Sequence, residues 1–87
     1  MAIWGADIAQ LKNLGSKLQA GSNEIENQRN TLNKVLEATD WKGPDADKFR
    51  NEWRGQHMTA LNKVAQALQE AGQRASKNAA EQEQASR

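Results

Sequence analysis

Few side chains in this 87-residue chain are equipped for chemistry, and their spacing limits it. His57 is the sole imidazole and cysteine is absent, so neither a thiol nucleophile nor a Cys/His zinc site can be assembled. A lone histidine has no second imidazole for a proton relay. Four residues after Trp53, His57 reads as a seam or edge residue. Asp45 and Asp47 form one carboxylate pair, just after Pro44, where negative charge suits a helix start. Glu81 and Glu83 form another in the polar run KNAAEQEQASR, where solvation accounts for it. The expectation is a protein that is not an enzyme, with no catalytic residues, no metal site and no cofactor.

Charge narrows the partners. Twelve Lys and Arg face 11 Asp and Glu, a net charge of +1 with the two signs interspersed. A nucleic-acid binder of this size carries a clustered basic surface, so no nucleic acid is expected as a partner. The mixed charge also lacks the Lys/Arg-rich polar face of a helix lying in lipid headgroups, and no stretch is long and apolar enough to span a bilayer, so stable membrane insertion is not expected. The N-terminal MAIWGADIAQLK has no basic region leading into an apolar run, and reads as lacking a secretory signal peptide. The chain is then cytosolic, or exported by a route that ignores cleavable signals. A 37% hydrophobic share is low for a globular domain and suits a thin, elongated one. One small domain is the limit, and a chain this short often needs a partner to be stable.

Two long helices must position whatever function there is. The first is predicted over about 7–38, and Trp4, Leu11, Leu18, Ile25 and Leu32 recur at intervals of seven. Ile8 and Leu36 extend one flank of that stripe, Leu14 and Val35 the other. A heptad stripe predicts a narrow seam on a rod packed nearly parallel to a neighbour, about 45 Å long at ~1.5 Å per residue. Asp7 is a suitable N-cap. Gly15, Gly21 and Ser22 interrupt the flanks; they mark either close backbone approach or weakly specified surface. A second helix is predicted over about 44–76, with Phe49, Trp53, Ala60, Leu61, Val64, Leu68, Ala71 and Ala75 on its stripe. Large residues give way to alanine along it, and residues 77–87 read as a polar, flexible tail.

The connection is TDWKGPDAD, residues 39–47. Gly43 can take a left-handed conformation that ends the first helix or turns the chain, and Pro44 suits a first helical position. The turn over 39–44 therefore makes a helical hairpin. Trp41 beside it either covers the hairpin's own tip or anchors an interface. A single hairpin has one internal seam, and its tryptophans, Phe49 and leucine stripes carry more apolar area than that seam covers. At roughly 25 cal/mol per Å², leaving several such side chains in water forgoes several kcal/mol, comparable to the stability of a small domain. Two hairpins closing into a four-helix bundle would bury it, so the predicted fold is all-α, a helix-turn-helix hairpin that dimerises into a four-helix bundle.

A short chain with two long helices joined by Trp41-Lys42-Gly43 resembles the Trp-X-Gly family, the early-secreted-antigenic-target-like substrates of type VII secretion. The resemblance spans nearly the whole chain. It implies hairpins that pair antiparallel into a four-helix bundle, as a homodimer or a heterodimer of related chains, and folded, dimeric export driven by a membrane ATPase. Members commonly carry a Tyr-X-X-X-Asp/Glu export signal after the second helix, but this chain has no tyrosine. That departure favours a heterodimer with a signal-bearing partner over a homodimer. An intracellular helical adaptor unrelated to secretion is the alternative, since periodicity and composition fit it as well.

Overall fold

The computed structural model describes residues 7–85, and among them the fold is an all-helical hairpin. Helix α1 spans Ile8–Ala38, α2 spans Pro44–Glu52, a π-helical turn covers Trp53–His57, and α3 runs Met58–Ala85. The expected Trp4 lies outside the described residues. Asp7 caps α1, its carboxylate accepting from the Gln10 amide at 2.9 Å. The molecule measures 64 × 18 × 12 Å, a rod two helices wide.

Helix α1 does not run to the glycine. It ends at Ala38, with Thr39 extended and its hydroxyl donating to the Val35 carbonyl at 2.6 Å. That bond occupies the last turn, and the chain stays non-helical to Gly43. Gly43 has φ 117° and caps α2 directly ahead of Pro44, so its conformational freedom serves the restart rather than the stop.

The second helix differs from the sequence prediction in two ways. One residue is wound in as a π-turn, where the Met58 amide donates to the Trp53 carbonyl, five residues back. Helix also continues past Ser76 to Ala85, where a flexible tail was expected. The physical reason is packing: Ala75 and Ala79 are buried, and Glu83 pairs with Lys12 of α1 at 2.6 Å. Alanines that looked too small to hold a helix suit a neighbour that comes very close.

That closeness defines the seam. A Cβ on Gly15 would stand 2.6 Å from Ser76 Oγ and 3.0 Å from the Gly72 carbonyl oxygen; one on Gly72 would stand 2.9 Å from the Gly15 oxygen. One heptad along both arms, the Ser22 hydroxyl donates to the Ala65 carbonyl at 2.6 Å, with both residues buried. The same register carried a heptad the other way sets Ile8 level with Ala79. The centre of the hairpin is thus lined by glycine, serine and alanine. The Leu11–Leu18–Ile25 stripe, predicted as the seam, is half-buried along its rim. The correction follows from helix geometry: at about 100° per residue, the row Ile8, Gly15, Ser22, Arg29, Leu36 lies next to the leucine row, and its small members admit the other helix.

Candidate interaction surface

The two long sides of the hairpin are chemically opposite. On one, polar side chains bridge the arms: Gln19 Nε2 donates to the Gln69 carbonyl at 3.3 Å, and Arg29 Nη1 to Asn62 Oδ1 at 3.2 Å. Nearer the tip, Trp53 Nε1 donates to Asn33 Oδ1 at 3.1 Å. On the other side, a Cβ at Gly21 would meet only Leu68 Cδ1, at 3.8 Å. That contact puts the Leu14–Gly21–Leu32–Val35 flank of α1 beside the Val64–Leu68–Ala71 flank of α3. Together they make one apolar face.

Much of this face is bare. Leu14, Leu32, Val35, Val64, Phe49 and Trp41 are between 39% and 56% exposed, and no large side chain among the described residues is fully buried. Leu18, Ile25, Leu36, Leu61 and Leu68 are half-buried behind them. Of the described large residues predicted for the core, only Trp53 is buried by the hairpin itself. Toward the tip the face opens into an apolar cavity of about 220 Å³ lined by Leu32, Val35, Leu36, Thr39, Phe49 and Trp53.

The tip is held by one guanidinium. Arg50 donates to the carbonyls of Trp41 at 2.6 Å, Thr39 at 3.0 Å and Leu36 at 3.3 Å. The Leu36 and Thr39 carbonyls belong to the end of α1, which lacks helical donors and carries partial negative charge. The Trp41 ring sits against the same residues: its centroid lies 5.9 Å from the Arg50 guanidinium carbon and 6.1 Å from the Phe49 ring, tilted 44° to it. Phe49 in turn lies 6.4 Å from both the Trp53 and His57 rings. Trp41 both covers the tip and shows part of its surface to solvent. His57 is exposed at the edge of the aromatic cluster.

Sequence reading passed over Gly72, Asn33 and Arg50. Gly72 carried a recognisable signal, since it falls on the small-residue heptad Ala65, Gly72, Ala79. The Arg50 clamp and the Asn33 contact carried none, because both depend on how the tip folds and on the π-turn that aims Trp53.

Asp45 and Asp47 are exposed in the first turn of α2, and no three acidic or histidine side chains converge among the described residues. No helix among them is long and apolar enough to cross a membrane. Comparison with protein-family models, with curated proteins and with solved structures found no match to this chain.

Proposed function

We propose that this chain is a non-enzymatic pairing protein of the Trp-X-Gly type, whose apolar face packs on a second hairpin to complete an antiparallel four-helix bundle. The partner is a related chain or a second copy, and the pair is exported folded by a type VII secretion system. One observation carries the pairing: the seam is closed by glycine, serine and alanine, while the large aliphatic residues stand exposed along one face. A two-helix rod that spends its large side chains outside its own seam is half of a larger core. The export assignment rests on Trp41-Lys42-Gly43 standing between two long helices. In a mixed pair, a related partner would supply the Tyr-X-X-X-Asp/Glu signal, since this chain has no tyrosine. The test is made in the organism that encodes the chain, by inactivating the type VII ATPase and assaying the culture medium. Loss of the extracellular protein, with its cellular level kept, is the expected result; unchanged export would overturn the secretion assignment.

A further inference from the structure

Resting on the pairing just proposed, we propose that the apolar face docks a second copy of this chain, with α1 antiparallel to α1 of the partner and the two-fold axis passing beside Gly21. Lys17 and Glu24 select that register. Both are exposed, neither has an ion-pair partner among the described residues, and both stand on the outer rim of the apolar face, one heptad apart. Between antiparallel helices, rim residues of the same heptad position meet one another. An axis midway between them brings Lys17 against the partner's Glu24 and Glu24 against the partner's Lys17, forming the pair twice. A slip of one heptad in either direction sets Lys17 against the partner's Lys17, or Glu24 against the partner's Glu24. Only the centred register has opposite charges facing.

Two further features fit the same axis. Gly21 lies on the exposed face with no atom tightly against it, unlike Gly15 and Gly72, which the intrachain seam already uses. Because Ser22 is level with Ala65, the level of Gly21 on the second arm is that of Gln66 and Ala67. Both arms therefore offer a small residue where two rods cross, with the larger Leu14, Leu32, Val35 and Val64 to either side. The rod's broad face, 64 by 18 Å, has a footprint on the order of 1,000 Å², enough for the about 800 Å² per partner of a stable interface.

The test uses the full chain in solution. Sedimentation equilibrium is expected to give a dimer that K17E or E24K alone weakens about tenfold in Kd, and that the K17E/E24K double variant restores to within about threefold. The chain has no native cysteine, so Gly21→Cys gives a direct readout. Oxidation should link it into a covalent dimer, whereas Lys34→Cys, on the far side of α1, should stay unlinked. A dimer indifferent to charge reversal, or one in which Gly21→Cys fails to cross-link, overturns this register while leaving pairing intact. A chain monomeric at high concentration overturns self-pairing. Mixing with a related chain then decides separately whether the pairing reading survives.

Discussion

At the scale of single residues, stability depends on where there is no room and on where carbonyls gather. Gly72 meets the backbone of α1, which cannot swing aside as a flexible side chain can. Gly72→Leu should lose about 1–3 kcal/mol through overpacking, despite leucine's better helix propensity. Gly55, with nothing within 4 Å of its would-be Cβ, should gain up to about 1 kcal/mol as Gly55→Ala. Equal effects at the two sites in urea titrations would contradict the close seam. Arg50 makes three charge-assisted hydrogen bonds to the end of α1 and the turn. Arg50→Ala should cost about 1–3 kcal/mol in the same assay, and Arg50→Lys should recover only part of it, because an ammonium cannot span three carbonyls as a planar fork does.

At the scale of elements, the hairpin was legible because its signals are local. Asp7, the glycine–proline pair and the long helical runs each act within one turn. The seam was harder to read. A heptad of leucines is the louder pattern, and the row beside it, with Gly15 and Ser22, looks like an interruption until Gly72 and Ala65 are seen opposite. The π-turn left no mark in composition, since a wound-in residue shifts the phase of the downstream helix and leaves its chemistry unchanged. The extension of α3 to Ala85 was hidden for a related reason: alanine buries little area, so Ala79 reads as surface unless the approach distance is known. Deleting residues 77–87 should uncover the start of α1 by removing Ala79 and the Lys12–Glu83 pair. Amide hydrogen exchange over about residues 8–14 should quicken by tenfold or more relative to the tip. Unchanged protection would mean that the last turns of α3 support nothing.

At the scale of the whole molecule, the division between a small-residue seam and a large-residue face sets how the heat of melting is shared. Heat capacity rises with apolar surface newly wetted, at about 0.45 cal/mol/K per Å². Opening a seam of glycine and alanine wets little, so a lone hairpin should unfold with an increment below the usual ~12–15 cal/mol/K per residue. On the pairing proposed above, the missing part would belong to separation of the paired rods. Calorimetry over a hundredfold range of protein concentration should show the transition moving upward as concentration rises. A transition temperature indifferent to concentration, with a full-sized increment, would mean that each rod melts as a finished object. In thermal terms, rods paired as proposed would store most of their cooperativity between molecules, and dilution alone should turn a sharp transition into a shallow one.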